Sequence, residues 1–428
     1  MQKKLLDYNI SHVSILYDGG RSGSIFLQSL FDGHSEVITF PSTLLIGGLT
    51  GIHFDDFFCA NAGNTPKQIA IEFTKVYQTA FDSKYDSTAS RLSQLGDNQD
   101  QKIEVDKDRF IDFFVKYFDF RDEISYTNVF NGAHLAWAQT QGKKLGENIL
   151  IVHALHTPED KMKMYCENFP ESKHLVCIRN PIVSHNSRFI HHIKRHKLNN
   201  KNSDFFDNIE QLNYPYNMTR DVLFALKIIG KYAKFEKVRG VRNEDLHIIP
   251  ESTINNLCKF LEIEFEPQLL ESTFLGLKHW GDDTIDPRNG FSKSTPSDFK
   301  ISKSSFKRQD VALIEDLIND RIVHFRYSRL TPKRNISARR LKNITKWEEE
   351  SIYSILGKKT YLANLAIYSR IFGANFHKLF IKVLSRLINE SDGNIVVKWA
   401  QYVDMRVDLM KSYIAENKDN PEPKFGLI

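Results

Sequence analysis

The segment Asp18-Gly19-Gly20-Arg21-Ser22-Gly23-Ser24-Ile25-Phe26-Leu27-Gln28 constrains this chain most, because it sets a glycine-rich turn between an apolar strand and the start of a helix. His12 to Tyr17 is rich in β-branched and aromatic side chains and reads as a short buried strand. From Ser24 onward the apolar positions Ile25, Phe26, Leu30 and Phe31 fall at helical spacing. Gly19, Gly20 and Gly23 let the backbone turn tightly and bring its N–H groups close to a ligand. A helix start adds about half a positive charge to donors that lack an internal partner. The segment is a candidate anion site, and a purely structural strand-to-helix turn is the alternative reading.

What the loop lacks narrows the anion. A nucleoside triphosphatase loop reads G-x-x-x-x-G-K-[ST], with its Lys on the β/γ-phosphates and its hydroxyl on Mg²⁺. Here neither Lys-Ser nor Lys-Thr follows Gly23, and Arg21 precedes that glycine. The stretch R-S-G-S-I-F-L-Q-S-L-F-D-G-H-S-E-V, Arg21 to Val37, resembles the 5′-phosphosulfate loop of the sulfotransferases that use 3′-phosphoadenosine 5′-phosphosulfate (PAPS). In that family the pattern is close to R-S-G-T-T-L-L-x-x-L-L-D-x-H-P-E-V. A second match follows in the same order: Phe169-Pro170-Glu171-Ser172-Lys173 leads into the strand His174 to Ile178, then Arg179-Asn180-Pro181, Ser184 and Ser187. This is similar to the family's 3′-phosphate motif, an Arg at a strand's end with a Ser eight residues on. A third, Val241-Arg242-Asn243-Glu244-Asp245-Leu246 with an amphipathic run from Thr253 to Leu261, is similar to the family's V-R-Y-E-D-L strand end. Asn243 stands where that family often has Tyr. The resemblance runs from Tyr17 to about Leu261, with a compatible tail to about Leu330.

The resemblance implies an α/β, P-loop-like three-layer fold with a central parallel sheet flanked by helices. Residues 1–330 would form the sulfotransferase domain, with a helical insertion over about 50–145, and 331–428 a basic helical C-terminal extension. It further implies that the backbone at Arg21, Ser22, Gly23, Ser24 and Ile25 holds the 5′-phosphosulfate, with the Arg21 side chain beside the bridging oxygen. Arg179 and Ser187 would take the 3′-phosphate. Lys293 lies in a polar, basic stretch where the family closes a loop over the nucleotide, although the family's R-K-G form is absent and a solvated lysine is the alternative. The family draws its general base from a His before the 3′-phosphate motif or from a Glu after the first helix. Val37 to Thr50 contains no acid, which leaves His156, with His153 as the alternative. The expected reaction is in-line transfer of a sulfuryl group from PAPS, as co-substrate and without a metal, to a hydroxyl or amine of a small-molecule, glycan or glycolipid acceptor. The alternatives are a P-loop kinase or nucleotide-binding protein, and a non-catalytic anion-binding adaptor.

Composition bounds the setting. At 428 residues, 41% apolar and 26% charged, the chain has the make-up of a globular protein with a large core. No apolar run reaches the roughly 18 residues of a membrane span, and the start lacks a signal-peptide stretch; since Golgi members of the resembled family carry an N-terminal membrane anchor, the resemblance implies a cytoplasmic, bacterial enzyme. Cys59, Cys166, Cys177 and Cys258 are scattered without a C-x-x-C pair and read as buried free thiols. Thr331 to Ile388 holds twelve Lys or Arg against three acids, a net +9 in a chain of net +5, so the rest of the chain is net acidic. No nucleic-acid partner is expected. Ser351 to Asn389 has no acid and carries Leu362, Leu365, Tyr368, Phe372, Phe376, Leu379, Phe380, Val383, Leu384 and Leu387 at helical steps with basic residues between. That pattern fits helices packed on the catalytic domain or, alternatively, peripheral contact with an anionic membrane. Between the first two motifs, Phe110 to Phe120 and Val129 to Gln141 read as apolar helices. Phe113, Phe114, Phe130 and Trp137 are read as core or, alternatively, as acceptor-pocket walls. His34 is expected to orient the loop after the first helix, and His192 and His196, at i and i+4, lack the carboxylate that would favour zinc.

Overall fold

Parallel strands cannot be joined by hairpins, so each needs a crossover that lays helices on the sheet faces. The computed structural model describes residues 4–17, 20–41, 52–85, 92, 95–118, 124–155, 159–199, 222, 225–281, 290–291, 299–336, 408, 410–412, 414–416, 418 and 424–428. Its sheet contains β1 (Asn9–Tyr17), β2 (Val37–Ile38), β3 (Asn148–Ala154), β4 (Lys173–Ile178) and β5 (Val238–Arg242). The order is β2-β3-β1-β4-β5 and every pair is parallel. α1 (Ser24–Leu30) follows β1. Between β2 and β3 come α2 (Phe54–Asn61), α3 (Pro66–Val76), α4 (Gln78–Phe81), α5 (Lys107–Tyr117) and α6 (Tyr126–Thr140), the expected helical insertion. α7 (Glu159–Asn168) joins β3 to β4, while α8 (Pro181–Asn199) and α9 (residues 225–232) precede β5. After β5 come α10 (Asn243–Ile248), α11 (Pro250–Leu261), α12 (Arg308–Leu317) and α13 (Asn319–His324).

Alternation along β1 divides the core. Val13 and Ile15 face Leu27 and Leu30 of α1 and Leu257 and Leu261 of α11, together with Val152, Leu175 and Val241 from the neighbouring strands. On the other face Leu16, Ile151, Val176 and Ile178 join Phe130 of α6 and Tyr165 of α7. The sheet is thus the middle of three layers. α6 is capped by Ser125, whose side chain accepts from the Asn128 N–H, and is buried around most of its circumference, as a helix must be when it lies between sheet and insertion. The insertion adds its own aromatic core: Phe73 stacks on Phe110 at 5.4 Å and meets Phe57 edge-on at 5.6 Å. Phe114, Phe130 and Trp137 are buried in this core and Phe113 is half-buried.

Some boundaries differ from the sequence reading for physical reasons. β1 starts at Asn9, before the apolar run, because its first residues pair with β3 and Asn9 Nδ2 donates to Asn148 Oδ1 at 3.0 Å. β3 continues through His153 to Ala154. Cys59 is exposed, while Cys177 and Cys258 are buried thiols whose acidity burial lowers. The helical pattern of Ser351 to Asn389, with its basic surface, lies outside the described residues. The end of the chain returns to the sheet: Gly240 N–H donates to Gly426 O, Ile428 N–H donates to Gly240 O, both at 2.9 Å, and Phe425 is buried. Residues 425–428 therefore share the core of the sheet domain across the boundary expected near Leu330. Among the described residues no helix is long and apolar enough to cross a membrane.

Candidate functional site

The strand order opens a crevice at one place. The chain leaves β1 toward the β2 side and leaves β4 toward β5, so the loops after these neighbouring strands diverge over their carboxyl ends. The glycine-rich loop and Arg179 both lie there. Gly20, Arg21 and Gly23 have φ of +92°, +53° and +95°, left-handed positions on either side of Ser22 that turn the chain sharply between β1 and α1. Two loop carbonyls are tied to the β4–α8 segment: Ser184 Oγ donates to Gly20 O at 2.6 Å and Arg179 Nη1 to Arg21 O at 3.1 Å. The Ser22 hydroxyl is buried, with the residue 1% exposed, and its oxygen has no hydrogen-bond partner among the described residues. A buried hydroxyl without a partner is destabilising, and at this loop a polar ligand is one group that could supply it. Gly23 is the N-cap of α1 and has no side chain to cap it; in its place the Asn243 amide lies against its α-carbon.

The turn after β4 is held from below. Asn180 caps α8, its Oδ1 accepting from the N–H groups of Ile182 (3.1 Å) and Val183 (3.3 Å). Asn180 N–H donates to Glu244 Oε1 at 2.9 Å, and Tyr327 OH donates to Glu244 Oε2 at 2.6 Å. Arg242 stacks over the Tyr327 ring at 4.7 Å and lies 3.6 Å from Asp245. Burial and the neighbouring carboxylate push the Tyr327 hydroxyl well above its ordinary pKa, so it stays a donor. Beside the loop, Phe26 of α1 stacks on His247 at 4.7 Å and meets Phe291 edge-on at 5.4 Å, giving half-buried rings next to the anion loop.

The fold brings together Arg21, Ser22, Gly23, Ser24, Ile25 and Arg179 from the sequence reading. Ser187 is half-buried on α8, but the hydroxyl that touches the loop belongs to Ser184. Arg188, missed in the sequence, runs along Gly20: a β-carbon there would lie 3.5 Å from Arg188 Cδ and 3.9 Å from Cζ. The signal was its i+4 spacing from Ser184 on one helix face. His156 and Lys293 lie outside the described residues. His153 has turned into the core, 3% exposed, its ring 4.9 Å from Tyr165 and 5.4 Å from Phe130. Burial and the neighbouring histidines hold it well below its ordinary pKa, so it is neutral. His34 is buried after α1; its Nδ1 accepts from Glu36 N–H and its Nε2 donates to Glu264 O at 2.9 Å, orienting that loop.

A cavity of about 440 Å³ lies at the opposite, amino-terminal edge of the sheet, lined in part by Asp32, Ser35, Trp137 and Lys143. Lys143 there donates to the carbonyls of His34 and Val37, and burial brings its pKa down to about 8. The glycine-rich loop, the Ser22 hydroxyl and Arg179 are at the other edge.

No family model and no curated protein matches the chain. Among solved structures it is similar to three sulfotransferases. One is the sulfotransferase domain of an olefin synthase from Synechococcus PCC 7002, 14% identical, with a TM-score of 0.35 over 63% of this chain and 78% of that one. The second is a sulfotransferase domain from the curacin biosynthetic pathway, 16% identical, with a TM-score of 0.35 over 62% and 78%. The third is sulfotransferase STF9 from Mycobacterium avium, 12% identical, with a TM-score of 0.33 over 62% and 67%.

Proposed function

We propose that this chain is a PAPS-dependent sulfotransferase whose donor lies across the carboxyl ends of β1 and β4. The observation that carries the reading is the joined pair of motifs: a left-handed loop with an orphaned Ser22 hydroxyl, braced by Arg179 from the next strand. These groups fit a doubly anionic nucleotide. The loop backbone and Ser22 would take the 5′-phosphosulfate, and Arg179, with Ser187, would take the 3′-phosphate. The Phe26, His247 and Phe291 rings offer a flat surface for the base.

Sulfuryl transfer needs an in-line approach of acceptor oxygen to sulfur and charge stabilisation on the departing phosphate oxygen. The Arg21 guanidinium supplies that charge, because left-handed backbone at Arg21 is fixed by Arg179 before donor arrives. An alcohol is a weak nucleophile near neutral pH, so a base at the acceptor oxygen raises the rate. His156 is our assignment for it, since His153 is enclosed in the core. The acceptor is a carbohydrate or glycolipid hydroxyl in this reading, and the Arg21-Ser22-Gly23 loop favours sulfuryl over nucleotide-triphosphate chemistry because no Lys-Ser or Lys-Thr follows its last glycine. The test is incubation with PAPS labelled in its sulfuryl group and a lysate of the source organism. Transfer of label to a discrete product, lost in Arg21→Ala, supports the reading; label that stays on donor or appears only as free sulfate overturns it.

A further inference from the structure

Glu244 is 4% exposed, yet among the described residues its carboxylate pairs with no arginine or lysine; it accepts from one backbone N–H and one phenol. Such a carboxylate is unfavourable to bury unless its hydrogen bonds fix something, because each oxygen has left water. What it fixes is the turn that aims Arg179. One oxygen holds Asn180 N–H, the peptide immediately after Arg179, while Asn180's own side chain caps α8, the helix that carries Ser184, Ser187 and Arg188. The other oxygen holds Tyr327, which comes from the segment after α13 and is itself covered by Arg242 at the end of β5.

We infer that Glu244, held by Tyr327, is the positioning residue of the proposed 3′-phosphate subsite, locking the Arg179–Asn180 turn so that the guanidinium reaches both the loop and the phosphate. The inference rests on the sulfotransferase reading. It makes the third sequence motif part of the donor site at second hand: Arg242 and Asp245 hold Tyr327 and the α10 turn, Asn243 sits on Gly23, and Glu244 sits on Asn180. A carboxylate accepts at both oxygens at once, whereas a carboxamide accepts at one: it could keep Asn180 N–H only by reversing the Tyr327 bond, so that the phenol oxygen accepts from its NH₂ and gives up the stronger charge-assisted bond.

The experiment uses the full chain and two nucleotides, adenosine 3′,5′-bisphosphate and adenosine 5′-phosphosulfate, the second lacking the 3′-phosphate. Affinities are measured by calorimetry for the wild type, Glu244→Gln and the milder Tyr327→Phe, with each protein's unfolding temperature recorded without ligand. Expected is a loss of about tenfold in bisphosphate affinity for Glu244→Gln, a smaller loss for Tyr327→Phe, and a change of less than about threefold for the phosphosulfate in both. A purely structural role would lower the unfolding temperature and weaken both nucleotides equally, which would overturn the inference. So would a wild type that binds the bisphosphate beside a Glu244→Gln that binds it as well. A wild type indifferent to both nucleotides would overturn the sulfotransferase reading and this inference with it.

Discussion

Arg21 and Arg179 meet through one hydrogen bond, and they carry separable tasks. If the Arg21 side chain stabilises the leaving oxygen, Arg21→Ala should lower turnover about a hundredfold or more, the usual scale for removing a preorganised charge donor, and change donor affinity less. Steady-state kinetics with PAPS decides this, and a lower affinity at unchanged turnover would contradict it. Arg179→Ala should weaken adenosine 3′,5′-bisphosphate much more than adenosine 5′-phosphosulfate; equal weakening would remove Arg179 from the 3′-phosphate role. Gly23→Ala should cost about 1–3 kcal/mol in denaturant unfolding, because its φ of +95° strains any β-carbon and the Asn243 amide fills the space; Gly23→Ala with Asn243→Gly should recover the steric part only. Arg21, Gly23 and Arg179 were legible in the sequence because each sits at a fixed offset from a strand end. Ser184 and Glu244 stood inside the motifs but their contacts were not legible, and Arg188 was passed over, since which face of α8 meets the loop, and which carboxylate lies beneath Asn180, depends on packing between segments more than 60 residues apart.

At the scale of elements, the buried strands were readable as apolar runs and α6 as an apolar helix over Val129 to Gln141, while the edge of the sheet was not. β5 is the last strand in the order, and an edge strand leaves backbone groups without partners. The segment 425–428 covers it, with no periodicity in four residues to announce this. Gly240 is what lets it approach: a β-carbon there would lie 2.6 Å from Ile178 Cδ1 and 2.9 Å from Leu427 Cδ2. Gly240→Ala should therefore lower the unfolding temperature by several degrees, and removal of residues 424–428 should do so to a similar extent. Combining the two should cost less than their sum, since truncation removes the clashes with Leu427 and Phe425 and leaves only that with Ile178. Full additivity in thermal unfolding would show that the segment does not dock on β5.

Across the whole molecule, one face of the sheet carries a layer of buried histidines that the sequence left scattered. His12, His134 and His174 are driven by burial to about 4, 3 and 4, and His153 well below its ordinary value. His174 Nδ1 is bonded to Ser14 Oγ at 2.7 Å and His12 Nε2 to Asn131 Oδ1 at 2.8 Å, so the neutral rings are built into the core. These are bases whose folded pKa lies below the unfolded value of about 6.5. The unfolded chain takes up protons first as pH falls, so stability is full above about pH 6.5 and declines toward pH 4, by roughly 1 kcal/mol for each histidine at pH 5.5. Unfolding temperatures measured from pH 7.5 to 5 should fall steadily below pH 6.5, and a flat profile would contradict the buried, neutral layer. The central claim is the donor site itself, and ligand-dependent stability reads it most directly. Adenosine 3′,5′-bisphosphate should raise the unfolding temperature of the wild-type chain in the presence of a chelator, and Arg179→Ala should abolish most of that rise. Stabilisation by ATP with Mg²⁺, with no response to the bisphosphate, would contradict the account.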